Sequence, residues 1–221
     1  MSRADEIRAN FDAVESRIQA ACARAGRKRE EVTLVAVTKT FPASDVELAI
    51  QCGATHVGEN KVQEGRDKRP DVASPAQWHL IGHLQSNKAK DAVKLFDVIQ
   101  SVDSLDLAVR LARIADAMRK RQQILLQVNI GNEDQKSGAW IDDVPNLVSR
   151  IREIPSLDLR GLMAIPPAHD DPRFYFRELR ALRDAASLPE LSMGMTDDFE
   201  IAIEEGATII RVGRAIFGLR G

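Results

Sequence analysis

Hydrophobic positions near the start of the chain recur at helical spacing. They follow one another at steps of three or four residues, while arginine and glutamate fill much of the opposite face. The positions are Ile7, Phe11, Val14, Ile18 and Cys22. This pattern predicts an amphipathic helix that ends near Gly26.

Strand and helix patterns alternate along the rest of the chain. The segment VTLVAVT at 32–38 is β-branched and apolar, as is typical of a strand buried on both faces of a parallel sheet. Further strands are predicted at 55–58, 77–82, 98–102, 124–130, 157–165, 191–194 and 209–213. Helices are predicted at 44–52, from 60 onward, and at 85–95, 104–119, 141–153, 172–186 and 197–205.

Eight strands separated by helices define the predicted fold class. Repeated βα units imply parallel strands with right-handed crossovers, and eight parallel strands close most naturally into a barrel. We therefore predict an α/β fold, a (β/α)8 TIM-type barrel, as a single domain over 1–221 with an extra N-terminal amphipathic helix. A doubly wound open sheet is the structural alternative.

Composition and charge exclude several classes of partner. With 44% hydrophobic residues and a formal net charge of −2, the chain can bury a core but has no field to gather nucleic acid or acidic lipid.

Cys22 and Cys52 form no Cys-x-x-Cys pair, which argues against a zinc site or a disulfide framework. No signal peptide and no membrane-spanning apolar stretch is recognised. We expect a cytoplasmic protein and, without an interface signal, a monomer.

Residues that follow the predicted strands are the first candidates for chemistry, because the active face of a parallel barrel lies at the carboxyl ends of its strands. They are Lys39, Glu59, Asn60, His79, Gly82, His83, Gln85, Lys136, Met163, SMGMT at 192–196 and RVGR at 211–214. Lys39 stands out, since a lysine there can form a Schiff base with a carbonyl when desolvation and nearby cations lower its pKa. An ordinary surface lysine is the alternative.

The last two predicted strands carry groups suited to a phosphate. Ser192 and Thr196 offer hydroxyls, and Gly194 and Gly213 allow backbone N–H groups to approach closely. Thr196 is also placed to cap a helix that begins at Asp197. Capping and turn formation without a ligand is the alternative for both hydroxyls.

Arg211 alternates with Ile210 and Val212, so it is predicted to point into the barrel, where a guanidinium needs an anion or another acceptor. His79 and His83 have the spacing of a helical zinc site, but they fall on a strand and its turn, which separates them. A metal site is therefore not predicted. His56 and His169 have no recognisable partner.

Several segments together resemble the pyridoxal phosphate homeostasis proteins, which are similar in fold to the barrel domain of bacterial alanine racemases. The segments span nearly the whole chain in order. They are AVTKT at 36–40, GENKVQEG at 58–65, WHLIGHLQSNK at 78–88, KSG at 136–138, RGLMAI at 160–165 and SMGMTDDFEIAIEEGATIIRVGRAIFG at 192–218.

This resemblance implies that the ligand is pyridoxal 5'-phosphate (PLP) and that Lys39 holds it as a Schiff base. It implies that Asn60 and His83 lie beside the ring. The residues implied to surround the phosphate or the pyridine nitrogen are Ser192, Gly194, Thr196, Arg211, Gly213 and Arg214. Many relatives have Ser in place of Thr196 and Thr in place of Arg214, which makes the role of Arg214 the less secure. Lys136 is a candidate second aldehyde acceptor, with a solvated loop lysine as the alternative.

The resemblance also implies a protein that stores and delivers PLP without turnover, in transient contact with enzymes that lack the cofactor. A racemase needs two bases, and the one tyrosine, Tyr175, falls on a helix expected outside the barrel. Such racemases also use a second domain, whereas this sequence stops after the eighth strand. An arginine rather than an acid at the pyridine nitrogen would leave the ring unprotonated. The alternatives are a PLP-dependent racemase or lyase, and an aldolase without a cofactor.

Overall fold

The computed structural model describes residues 2–168 and 170–218 as eight parallel strands in a closed barrel. Neighbouring strands in the barrel are neighbours in sequence, and β8 pairs with β1. The strands are β1 (Thr33–Val37), β2 (His56–Glu59), β3 (Gln77–Leu80), β4 (Val98–Val102), β5 (Gln122–Gln127), β6 (Leu157–Met163), β7 (Glu190–Ser192) and β8 (Ile209–Val212). The closed sheet confirms the predicted barrel and excludes the doubly wound alternative.

Helices lie on the outside of the barrel, with α1 before β1 and each of the others after a strand. They are α1 (Arg3–Arg24), α2 (Ala43–Gln51), α3 (Val62–Lys68), α4 (Ala89–Leu95), α5 (Leu105–Ala117), α6 (Val144–Arg152), α7 (Pro172–Ala185), α8 (Phe199–Glu204) and α9 (Arg214–Phe217). The predicted helices at 85–95 and 141–153 begin with the 3-10 turns Ser86–Lys88 and Ile141–Asp143. Among the described residues, no helix is both long and apolar enough to cross a membrane.

The N-terminal helix α1 is amphipathic as predicted. A capping box between Ser2 and Asp5 begins it, and the predicted apolar stripe is buried. It packs against α2, α8 and α9, beside the junction of β8 with β1. Arg17 pairs with Glu200 and Arg24 with Glu204 at its edges. The helix therefore covers the place where the first and last strands meet.

The helix α8 begins two residues later than predicted. Asp198 precedes it, and a carboxylate oxygen of Asp198 accepts the backbone N–H of Met195 at 2.6 Å. Residues 195–198 therefore form a turn that is closed by this side chain. The prediction that Thr196 caps a helix starting at Asp197 is wrong for this reason.

Apolar packing occurs on both faces of the sheet. The larger group of buried residues lies between the strands and the helices. A second group inside the barrel consists of Val35, Leu125, Met163 and Ile209. Residues two apart on a strand face the same way. Val35 and Ile209 face the interior, so Val37 and Lys39, which continue from Val35, and Arg211, which comes two residues after Ile209, are on the same inner side. The inner face also carries the polar residues that form the site.

Candidate functional site

A cavity of about 590 Å³ opens at the carboxyl ends of the strands. This is within the usual range for a small-molecule site. The predicted residues that line it are Lys39, Asn60, Gly82, His83, Lys136, Met195, Thr196, Arg211, Gly213 and Arg214. Ser192 and Gly194 are not among its lining residues. The structure thus brings together side chains from both ends of the sequence and from the loops between them.

Lys39 and Arg211 enter this cavity from neighbouring strands. In the register of β1 with β8, Val35 lies beside Arg211, so Lys39 stands four residues closer to the mouth of the barrel. Lys39 is half-buried, and the next residue, Thr40, has a φ of 71°, which turns the chain sharply after the strand. The lysine therefore lies at the mouth and the arginine deeper in the barrel.

Arg211 is buried and bonded to acceptors on the inner face. Its Nη1 donates to the Ser192 hydroxyl at 2.6 Å, and its Nη2 donates to the backbone oxygen of Ala164 at 2.9 Å. Burial lowers the pKa of Arg211 to about 10, although Asp198 acts to raise it, so the guanidinium stays charged at neutral pH. The prediction that Arg211 points into the barrel and needs acceptors is confirmed.

Ser192 and Gly194 do not line the cavity and instead contact other parts of the protein. Ser192 is fully buried, and its hydroxyl donates to Gln100 Oε1 at 2.6 Å while it accepts from Arg211. Gly194 has a φ of +90°, and a Cβ built there would lie 2.5 Å from the Cβ of Ala202. The glycine therefore allows α8 to pack against the loop after β7.

The other predicted phosphate residues lie together at the mouth. Thr196, Gly213 and Arg214 line the cavity, and a guanidinium nitrogen of Arg214 lies 2.6 Å from Asp197 Oδ1. Both side chains of this pair are exposed. A Cβ on Gly213 would lie 3.1 Å from the backbone oxygen of Val37, which shows how closely this loop approaches β1.

Asn60 and His83 form the wall on the side of β2 and β3. The loops that carry them are in close contact, since a Cβ on Gly82 would lie 2.2 Å from the Asn60 backbone oxygen. The His83 imidazole is more than half exposed, and its Nδ1 lies 3.5 Å from Asp103. His79 points into the barrel instead, so the two histidines diverge as predicted. No group of side chains in residues 2–168 and 170–218 is arranged to hold a metal ion.

Behind Lys39, between the sheet and α3, a buried ion pair supports the end of β1. Glu59 Oε1 accepts from the Thr38 hydroxyl at 2.6 Å and from Lys68 Nζ at 2.8 Å, and the same ammonium donates to the Thr38 backbone oxygen at 2.7 Å. We call Thr38, Glu59 and Lys68 the Glu59 cluster. Since Thr38 precedes Lys39, the cluster fixes the backbone that carries the lysine.

Glu59 is the buried carboxyl of this cluster. Burial raises its pKa to about 7, while Lys68 and Thr38 act to lower it and the side chain of Glu64 raises it further. Its second oxygen, Oε2, has no hydrogen-bond partner within the described part of the chain. Glu59 lies near Lys39, but it is on the opposite face of the sheet and does not line the cavity.

Lys136 and Tyr175 lie at and beyond the rim. Lys136 lines the cavity, and its Nζ lies 2.5 Å from Glu133 and 3.3 Å from the Pro166 backbone oxygen. Tyr175 is on α7, and its hydroxyl donates to Asp170 at 2.6 Å. The tyrosine is therefore on the outside of the barrel, as predicted.

Comparisons with known proteins identify the family to which the chain belongs. The family model described as alanine racemase, N-terminal domain, matches residues 9–221. The pyridoxal phosphate homeostasis protein of Escherichia coli (strain K12) is 39% identical over 231 residues, which cover 98% of this chain and 97% of that protein. The chain belongs to the pyridoxal phosphate homeostasis protein family.

Two solved structures extend the comparison. PipY of Synechococcus elongatus PCC7942, solved with PLP bound, is 36% identical with a TM-score of 0.83, over 91% of this chain and all of that chain (100%). An alanine racemase of Clostridium difficile 630 is 14% identical with a TM-score of 0.76, over 98% of this chain and 57% of the racemase chain. The second likeness shows a shared barrel fold and no more.

Membership of the pyridoxal phosphate homeostasis protein family confirms the resemblance seen in the sequence motifs. Thr196 and Arg214, the two positions at which the motif resemblance predicts a departure from many relatives, both line the cavity. His169, noted above without a partner, lies outside the described residues.

Sequence reasoning missed the buried residues beneath the cavity. Gln100 and Ser101 interrupt the apolar run of β4, and both are fully buried. A polar residue in the middle of a buried strand is a signal that Gln100 has a partner, since buried polar groups are nearly always hydrogen-bonded. The partner of His56 was also missed: its Nδ1 lies 2.9 Å from Nε2 of His79.

Proposed function

We propose that this protein binds PLP at the mouth of its barrel, stores it and delivers it to other proteins without catalytic turnover. The observation that carries the proposal is the joint position of Lys39 and Arg211, a lysine amine and a buried guanidinium in one cavity of suitable volume. Family membership and the PLP-bound structure of PipY support it.

Each residue of the cavity has a proposed part. Lys39 would hold PLP through its side-chain amine, and the cofactor, when bound, would supply an aldehyde that otherwise reacts with free amines. Asn60 and His83 would lie beside the ring of the bound cofactor, and Arg211 would face its pyridine nitrogen. The phosphate is held by Thr196, Gly213 and Arg214, where a hydroxyl, a closely approaching backbone and a cation meet. Ser192 and Gly194 support this site from behind.

The residues around the cavity favour storage over amino-acid chemistry. Arg211 has only donors and stays charged, so it cannot protonate the pyridine nitrogen in the way that an acid would. Tyr175, a possible second base in a racemase, is bound to Asp170 outside the barrel. We therefore expect no turnover of alanine, serine or threonine. We further propose that the protein acts as a monomer and contacts recipient enzymes only transiently.

Covalent binding by Lys39 is tested with purified protein and PLP. We expect an absorbance band near the edge of the visible range. Borohydride reduction should remove this band and leave the reduced cofactor covalently attached to the peptide that contains Lys39, as shown by mass spectrometry. Lys39→Ala should lose at least about 90% of this label, because no other amine has its position, whereas Lys136→Ala is the matched control and should keep most of it. Equal labelling in Lys39→Ala would contradict the proposal.

Storage without turnover needs a second measurement. Loaded protein should activate an apo-enzyme faster than its spontaneous release of PLP allows, and it should leave amino acids unchanged. Steady turnover of an amino acid that disappears in Lys39→Ala would instead establish a PLP-dependent enzyme.

A further inference from the structure

A row of hydrogen-bonded side chains crosses the interior of the barrel from β2 to Arg211. His56 Nδ1 lies 2.9 Å from His79 Nε2, and His79 Nδ1 lies 2.8 Å from the side-chain nitrogen of Gln100. Gln100 Oε1 accepts from Ser192 at 2.6 Å, and the Ser192 hydroxyl accepts from Arg211 at 2.6 Å. We call these five residues the interior network.

The charge at one end fixes the direction of the first bonds. A guanidinium only donates, so the Ser192 oxygen accepts from Arg211 and its own hydrogen goes to the oxygen of Gln100. Gln100 therefore turns its NH₂ group toward His79. The His79 Nδ1 is thus an acceptor and carries no hydrogen.

The same reasoning extends to both histidines. Burial lowers the pKa of His79 to about 3 and also lowers the pKa of His56, so both rings are neutral at pH 7 and each carries one hydrogen. With Nδ1 of His79 as an acceptor, its hydrogen is on Nε2 and is donated to Nδ1 of His56. The hydrogen of His56 is then on Nε2 as well. Every hydrogen in the row points away from Arg211.

We propose that Gln100 and His79 are positioning residues for Arg211, which act through Ser192 to hold the guanidinium in one orientation at the base of the cavity. The Ser192 hydroxyl can accept from Arg211 in this geometry because Gln100 takes its hydrogen, and Gln100 is held in turn by His79. The part of this inference that concerns the cofactor rests on the proposed function, in which Arg211 faces the pyridine ring.

The direction of the network is tested in protein without PLP. Nuclear magnetic resonance of ¹⁵N-labelled histidine separates the two neutral tautomers, and His56→Gln and His79→Gln assign the signals by their loss. At pH 7 we expect both His56 and His79 to carry hydrogen on Nε2 only. Hydrogen on Nδ1 of His79 would overturn the order of donors and acceptors.

The positioning role is tested by Gln100→Leu, with Gln122→Leu as a matched control. Both glutamines are fully buried, but Gln122 bonds to backbone oxygens of Asp97 and Gln123, away from the interior network. In Gln100→Leu, we expect His79 to populate both tautomers, the absorbance band of bound PLP to shift, and the Kd for PLP to rise about tenfold. Gln122→Leu should match the wild type in all three, whatever its stability.

The outcomes separate this inference from the proposed function. If wild-type protein binds PLP and Gln100→Leu keeps its affinity and spectrum, the positioning role is wrong and the proposed function stands. If wild-type protein does not bind PLP, the proposed function fails, while the tautomers still decide the direction of the network. Should Gln100→Leu not fold, Gln100→Met keeps the length of the side chain and gives the same comparison.

Discussion

The protein supports its two principal cavity residues in different ways on the two faces of one sheet. The interior network supports Arg211 through uncharged side chains, because burial keeps His79 and His56 neutral. The Glu59 cluster supports the end of β1, and hence Lys39, through a buried carboxyl and ammonium 2.8 Å apart. The interior network contains a single charge, on Arg211, whereas the Glu59 cluster contains an ion pair when Glu59 is ionised.

This difference determines which support responds to pH near neutrality. The pKa of Glu59 is about 7, so its charge changes near neutral pH, whereas the pKa of His79 is about 3. The orientation of Arg211 should therefore be constant over the neutral range. The backbone beside Lys39 is the part whose support titrates.

The largest effect is expected from Lys68→Met, which leaves Glu59 buried without its cation. Removing one partner of a buried ion pair is strongly destabilising, and we expect a loss of about 3 kcal/mol in the free energy of unfolding at pH 8. The loss should be smaller at pH 5.5, because a protonated Glu59 needs no counter-ion. Urea denaturation at the two pH values measures both.

Lys61→Met is the matched control for this change, since Lys61 is exposed at the start of the same helix. We expect it to change stability by less than about 0.5 kcal/mol at either pH. An equal loss at pH 5.5 and pH 8 in Lys68→Met would show that Lys68 contributes packing rather than charge.

A smaller effect is expected from Glu59→Gln, which removes the titration and keeps the shape. In the folded wild type, the pKa of Glu59 is about 7, which is higher than the ordinary glutamate value of 4.5 that applies to the unfolded chain. Protonated Glu59 therefore contributes stability that is complete below pH 4.5 and is lost as the pH rises through 7. We expect the stability of the wild type relative to Glu59→Gln to fall by about 2 kcal/mol between pH 5 and pH 8.

Paired denaturation curves of the two proteins at each pH measure this difference, and Glu153→Gln, at an exposed position, should show no such trend. A constant difference between wild type and Glu59→Gln across the range would mean that Glu59 does not titrate there, and the contrast between the two supports would then disappear.

The sequence predicts the barrel and much of the cavity because these depend on local patterns. β-branched runs alternate with helical periodicity, and the period of two along β8 is enough to turn Arg211 inward. The sequence does not predict how deep in the barrel an inward-facing side chain lies. Ser192 also faces inward, but it lies at the level of the interior network rather than at the cavity wall.

Contacts between strands are the other part that local patterns do not contain. The bond between His56 and His79 depends on the register of β2 with β3, in which His56 is beside Gln77 and Gly58 is beside His79. Neither histidine has a distinctive neighbour in sequence. Their pairing follows only from the way the two strands are aligned.

The smallest effect is expected below pH 7 and concerns the stability that neutral His79 contributes. A histidine with a lowered pKa contributes stability that is present above its ordinary pKa of 6.5 and is lost as the pH falls toward the folded value of about 3. From pH 7 to pH 5.5, we expect the wild type to lose about 1 kcal/mol relative to His79→Gln, which cannot titrate. His83→Gln, at an exposed ring, should show no comparable trend. A wild type that instead gained stability relative to His79→Gln on acidification would mean that His79 is charged in the folded protein, and the neutral interior network would be wrong.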